Sequence, residues 1–310
     1  MTVMQPREAF VPVLPAAAPA ARRPLSVGAS LTFRQRGGRT FLGGQLTPHP
    51  FHITRPFYRP DDPAGMATLY LQSSSGGLYG DDQLDLRIVA EAGARAHVTS
   101  QASTMVPASH GGRARLGVRL RVEAGATLEY VPDPLILFDG ADADTTLDVS
   151  MAPGATAIVA DAVLLHNPAG GMPTSGRWTN TIMITADGEP LPRLIERQRL
   201  DLGDRLSFGL PRGDGPAARG LCYGALYSVG PDTAVAAEAL SAGLAALGGI
   251  SPPRSEAGWL YWGVNALPAK GIVGARFLCG DGATLTAALE AAWSAARVAT
   301  GSPGPARRRK

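Results

Sequence analysis

A four-residue corner recurs through the middle of this chain and limits what it can fold into. It reads Glu91-Ala92-Gly93-Ala94, then Glu123-Ala124-Gly125-Ala126, then Ala152-Pro153-Gly154-Ala155, with the glycines 32 and then 29 residues apart. Glycine supplies the positive φ that a tight change of direction needs. Period-two alternation surrounds each corner. Leu84, Leu86 and Ile88 alternate with Asp85 and Arg87, and Leu116, Val118, Leu120 and Val122 alternate with Arg115, Gly117, Arg119 and Arg121. Leu147, Val149 and Met151 alternate with Thr146, Asp148 and Ser150. Each such run is a strand with one buried and one wet face. A unit of about 30 residues repeated three times marks a solenoid-like β array, although hairpins in a sandwich can share that spacing. The expected fold is mainly β, a β-helix or solenoid-like array of short strands, with about two helices in the C-terminal half.

The helices are expected at 232–247, capped by Asp232 or Thr233, and at 282–299. The second carries Leu285, Leu289, Ala292, Trp293 and Ala296 on one face. Such a face either packs into a core or docks a partner, and Leu289 and Trp293 are the docking candidates. Residues 1–25, rich in Ala and Pro, read as a disordered leader without a secretory h-region. Residues 26–300 read as a single β domain, and 301–310 as a disordered basic tail.

The net charge of +3 is concentrated in that tail, where Arg307-Arg308-Arg309-Lys310 contributes four positive charges to an otherwise near-neutral body. No run of about 18 apolar residues occurs, which argues against a membrane-spanning helix. Cys222 and Cys279 stand apart, without metal-ligand spacing, and read as buried thiols of a cytoplasmic protein. His49-Pro50-Phe51-His52 is the nearest approach to a metal motif, but its Pro favours an extended turn. No P-loop, dinucleotide fingerprint, zinc-protease helix or nucleophile elbow is present. Two further classes are weighed on residues alone. A β-solenoid polysaccharide hydrolase or lyase would use Asp81/Asp82 or Asp133/Asp139 as paired carboxylates. A nucleic-acid binder would use the strand Arg113–Arg121 with the basic tail.

An ordered series of motifs then stands out. It runs from Gly76-Gly77-Leu78-Tyr79-Gly80-Asp81-Asp82 through Val98-Thr99-Ser100-Gln101-Ala102 to Leu128-Glu129-Tyr130-Val131-Pro132-Asp133-Pro134-Leu135-Ile136-Leu137-Phe138-Asp139. In order and spacing the series resembles the urease accessory protein UreD family, called UreH in some species. Arg55-Pro56-Phe57-Tyr58, Gly176-Arg177-Trp178, Arg197-Gln198-Arg199-Leu200 and Asn265-Ala266-Leu267-Pro268 extend the likeness over roughly residues 30–300.

The resemblance implies an irregular β-helix and a non-catalytic scaffold. Such a scaffold binds UreF, through it the GTPase UreG, and docks on apo-urease. Nickel is then cargo in transit through an internal passage, with no metal or cofactor tightly held. Gly76, Gly77, Gly80, Gln101, Pro132 and Phe138 would shape the fold. Asp82, Glu129 and Asp133 would line the route or face a partner, with turn or strand-end capping as the alternative role. Asp81 departs from the family's GGD turn, Met105 and Pro107 replace a basic residue and an aromatic, and residues 171–175 lack the family's acid.

Overall fold

The computed structural model describes residues 23–170, 173–204, 222–230, 232–248 and 259–304. Residues 1–22 of the expected leader, residues 305–310 of the tail and Gly171-Met172 lie outside the described residues. In chain order the described elements are β1 (Ser26–Arg36), β2 (Arg39–Leu46), β3 (Phe51–Ile53), β4 (Ala67–Ser73), β5 (Gln83–Ala90) and β6 (Arg95–Ser100). They continue with β7 (Met105–Val106), β8 (Ala114–Val122), β9 (Thr127–Tyr130), β10 (Leu135–Phe138), β11 (Asp142–Met151) and β12 (Thr156–His166). The last are β13 (Arg177–Ala186), β14 (Leu194–Asp201), β15 (Cys222–Val229), α1 (Thr233–Ala245), β16 (Leu260–Leu267), β17 (Ile272–Cys279) and α2 (Gly282–Ala299).

The strands form two facing sheets, one ordered β14-β13-β11-β8-β5-β1-β2 and the other β16-β17-β15-β12-β9-β6-β4-β3. Through the middle of both sheets neighbours run parallel: β1, β5, β8, β11 and β13 in the first, and β4, β6, β9 and β12 in the second. Parallel pairing excludes hairpins from this central part and establishes the solenoid, while antiparallel pairs β1–β2, β13–β14, β3–β4 and β16–β17 close the ends of the sheets. Each coil gives one strand to each sheet, and the recurring corner carries the chain between them. At the corners Ala94, Ala126 and Ala155 donate to the carbonyls three residues back, and Gly93, Gly125 and Gly154 hold φ of 71°, 65° and 72°. The ladder continues around the bend, because Gly93 N donates to Ala124 O and Thr127 N to Ala94 O. The corner alanines are buried, since a larger side chain would have to enter the space between the sheets.

Stacking in register turns the alternation into rows. Ala29, Leu86, Val118, Leu147 and Ile182 align across five strands of the first sheet, and Leu31, Ile88, Leu120, Val149 and Ile184 form the next row. These rows face Leu69, Val98, Tyr130 and Val159 of the second sheet and make the main core. The second sheet is covered on its other face too. Helices α1 and α2 lie on β12, β15, β16 and β17 and bury Ile158, Leu226, Phe277, Leu285 and Trp293 in a second core. Both helices begin within one residue of their expected starts; Asp232 caps the first, accepting from Val235 N, and Asp281, a cap not named from sequence, accepts from Thr284 N at the second.

This layering corrects the docking reading of α2. Leu289 and Trp293 are 4% and 2% exposed, because the apolar face that carries them is the one laid on the second sheet. Cys222 and Cys279 are buried register partners on β15 and β17, and burial pushes the Cys279 thiol up to about 12. Among the described residues no helix is long and apolar enough to cross a membrane.

Candidate functional site

Between the two sheets the core is incompletely filled, leaving a cavity of about 400 Å³. Its mouth is built by three turns on one side of the coils. Gly76 and Gly77 come from the turn before β5, Gln101 from the turn after β6, and Pro132 and Asp133 from the turn after β9. Five of the residues named from sequence therefore line one opening. Gly77 pairs with Met105 across it, where a Cβ would lie 2.8 Å from the Met105 carbonyl oxygen. At the rim Gln72 Nε2 donates to Gln101 Oε1, and Asp133 N donates to Ser100 Oγ at 2.7 Å. Leucines 84, 86, 116, 135 and 147 form much of the wall.

The floor of the cavity is polar. Trp178 Nε1 donates to Thr145 Oγ1 at 3.1 Å, Thr145 Oγ1 to Asn180 Oδ1 at 2.8 Å, and Asn180 Nδ2 to Asp161 Oδ2 at 2.6 Å. This chain of bonds crosses from the first sheet to the second. Burial, together with the charge of Glu196, raises the Asp161 carboxyl to about 7. Trp178 stands in the motif series, but Thr145, Asn180 and Asp161 were not singled out from sequence. Their signal is parity: Asp161 follows Val159, and Asn180 follows Trp178, on the inward side of otherwise apolar strands.

The other named residues lie elsewhere. Asp82 is fully buried below its turn, where it accepts from Leu25 N at 2.8 Å and Tyr79 N at 3.0 Å. Gly80 packs against the segment 109–112, and Asp81 takes the left-handed φ of 65° that the missing glycine leaves to it. Phe138 stacks edge-on against His166. Glu129 sits on the far face of the second sheet, under α2. There it accepts from His97 Nδ1 at 2.8 Å, Trp293 Nε1 at 2.9 Å and the Arg297 guanidinium, which also binds Asp62 at 2.7 Å. Burial alone would push the Glu129 carboxyl up, but the bonds from His97 and Arg297 prevail and hold it at about 2. His97 and Glu129 are 32 residues apart, one coil of the solenoid, and are register partners.

In each candidate carboxylate pair one member is already engaged by backbone N–H groups. Asp139 accepts from Thr174 N at 2.8 Å and Ser175 N at 2.9 Å, bonds that hold its carboxyl below the usual range, and Asp82 is the buried cap just described. The nucleic-acid face is likewise spoken for in part, since Arg119 pairs with Asp85, Arg121 with Asp187 and Arg113 with Asp142. His49 bonds Ser74 and His52 bonds Gln72. Among the described residues no three His, Cys, Asp or Glu side chains converge as a metal-holding group.

The family model for the UreD urease accessory protein matches residues 27–310. A Methylorubrum populi protein named urease accessory protein UreD 1 is 40% identical over 301 residues, covering 96% of each chain. Its Methylorubrum extorquens namesake is 40% identical over 304 residues, covering 97% of this chain and 98% of its own. A Pseudomonas syringae pv. tomato protein of the same name is 33% identical over 274 residues, covering 88% of this chain. A family match over nearly the whole chain, with relatives 40% identical along almost all of it, establishes that the chain belongs to the UreD family of urease accessory proteins.

Proposed function

We propose that this protein is a non-enzymatic scaffold for nickel insertion into urease, working in the cytoplasm with UreF and UreG on apo-urease. Family membership supports the maturation role, and the inter-sheet cavity is the observation that carries the finer reading. Its polar groups are oxygen and amide donors spaced along an enclosed, largely apolar space: Gln101 and Asp133 at the mouth, Thr145, Asn180 and Asp161 at the floor. Nickel is a borderline dication that takes carboxylate, carbonyl and water ligands more weakly than thiolate or clustered imidazole sets. Scattered oxygens therefore suit a cargo that must enter and leave. Apolar walls keep competing ligands few, and the Asp133 side chain at the mouth, with an Asp161 carboxyl at the floor that gives up its proton to an arriving cation, favours a cation over an anion.

The test is reconstitution. Co-expression of the chain with UreF, UreG and apo-urease is expected to yield a stoichiometric complex and nickel-dependent urease activity that disappears when this chain is omitted. Asp133→Ala is expected to keep the complex and slow activation. A chain that purifies alone and ignores all three proteins would sink the scaffold reading.

A further inference from the structure

A second opening lies at the far end of the solenoid, one layer of side chains beyond the cavity floor. Here β14 ends the first sheet and β17 and β16 end the second, and a cleft of about 470 Å³ opens between them. Gln198, Tyr223, Tyr261, Trp262 and Arg276 line it, with Arg199 at the rim. The separation from the cavity is short. Asn180 on the cavity floor and Gln198 in the cleft are register partners on β13 and β14.

Glu196 stands within this dividing layer. Its carboxylate accepts from Arg276 through Nε at 3.0 Å and through Nη2, from the Tyr227 hydroxyl, and from Gln198 Nε2 at 2.7 Å. Gln198 Nε2 also donates to the Tyr223 hydroxyl. The pair is asymmetric: the Glu196 side chain is 12% exposed, whereas Arg276 is 40% exposed and reaches in from the cleft. The buried Gln198 Oε1 has no hydrogen-bond partner among the described residues. Arg199, at the cleft rim, is exposed, and among the described residues no ion pair engages it. Half-buried Tyr beside Arg is the composition of protein-binding hot spots. The cleft is thus cationic at its surface, aromatic on its wall and anionic behind its arginine.

We propose that the cleft receives a carboxylate-bearing segment of a protein partner in the maturation assembly, which takes Arg276 from Glu196 and so opens the wall between cleft and cavity. The inference rests on the scaffold reading above and assigns the second end of the cavity to partner docking. Exchanging one carboxylate for another keeps Arg276 paired throughout, so the switch avoids stranding a guanidinium. Once released, Glu196 adds an oxygen ligand beyond Asp161, and the unpartnered Gln198 Oε1 adds another. Docking and passage are coupled because the same arginine serves both.

The experiment measures binding and activation separately, on the full chain with purified UreF, UreG and apo-urease. Arg199→Glu and Tyr261→Ala are expected to weaken the affinity for one of these partners by about 30-fold, the loss typical of a hot-spot residue. Glu196→Gln is the diagnostic variant. It frees Arg276 for the partner, so binding tightens, yet it replaces an anionic oxygen with a neutral, weaker amide oxygen, so nickel-dependent activation slows. A purely structural role for Glu196 would lower both together. Cleft variants that bind every partner like wild type, or a Glu196→Gln protein in which affinity and activation fall together or stay unchanged, would overturn the inference. A wild-type chain that binds none of the three proteins defeats the scaffold reading itself, a result distinct from wild-type binding that ignores the cleft.

Discussion

Arg297, near the end of α2, and Glu129, on the central strand β9, meet in a fully buried two-pronged ion pair across 168 residues of chain. Asp62 binds the same guanidinium, and Trp293 lies against it with the guanidinium carbon 4.6 Å from the ring centroid. One cation thereby ties the last helix to the second sheet and to the loop before β4. Removing it strands two buried carboxylates. Arg297→Met is expected to cost about 3–5 kcal/mol, and adding Glu129→Gln to recover part of that loss. Urea unfolding of the two variants against wild type measures the difference.

The same pair sets an acid limit. Glu129 titrates at about 2 in the fold against 4.5 for a free side chain, so the native state holds it ionised. A depressed acid contributes stability that is fully present above 4.5 and is lost as pH falls toward 2. Its share is about 3 kcal/mol. Unfolding curves at pH 7, 4 and 3 are expected to show this loss in wild type and to show it much reduced in Glu129→Gln.

Asp161 has the opposite sign. Its carboxyl is raised to about 7 from 3.8, so the fold favours the protonated form and stability declines as pH rises through that interval. Asp161→Asn is expected to raise the melting temperature at pH 8 and to change it little at pH 4. If the cavity carries nickel, the same variant slows urease activation while stabilising the chain. Melting curves and activation assays on one preparation check both halves.

Filling the cavity separates a passage from a mere packing defect. Leu116 is a half-buried wall residue. Leu116→Phe places extra carbon in existing space, so stability is expected to hold or improve. Activation slows if cargo crosses the cavity and is unaffected if it does not, with thermal unfolding as the control.

The corner glycines are testable without touching any site. A Cβ on Gly125 would meet nothing within 4 Å, so only its φ of 65° opposes a side chain. Gly125→Ala is expected to cost about 1–2 kcal/mol, and Gly125→Asn less, because Asn tolerates the left-handed region. Chemical denaturation of the two variants ranks them.

Much of the fold is legible in the chain. The corners at Gly93, Gly125 and Gly154 mark where it turns, and both helices fall within two residues of their expected limits. The mouth of the cavity was legible too, because Gly76, Gly77, Gln101, Pro132 and Asp133 stand in the motif series. The floor was not. Asp161 and Asn180 belong to no motif, and their only mark is polarity at an inward position of a strand.

By itself, then, the sequence determined the local events: alternation made strands, glycine made corners, and Asp232 and Asp281 started helices, each through forces acting within a few residues. Tertiary structure alone decided which residues meet. Period-two alternation says that His97 and Glu129 each share a face with their strand neighbours, but only the 32-residue coil places them side by side. Helix periodicity says that Leu289 and Trp293 share a stripe, but only the packing of α2 on the second sheet makes that stripe core and leaves Glu129 sealed beneath it. Pairing across coils depends on register and layer order, which are set by the burial of the whole chain and leave no mark on any single segment.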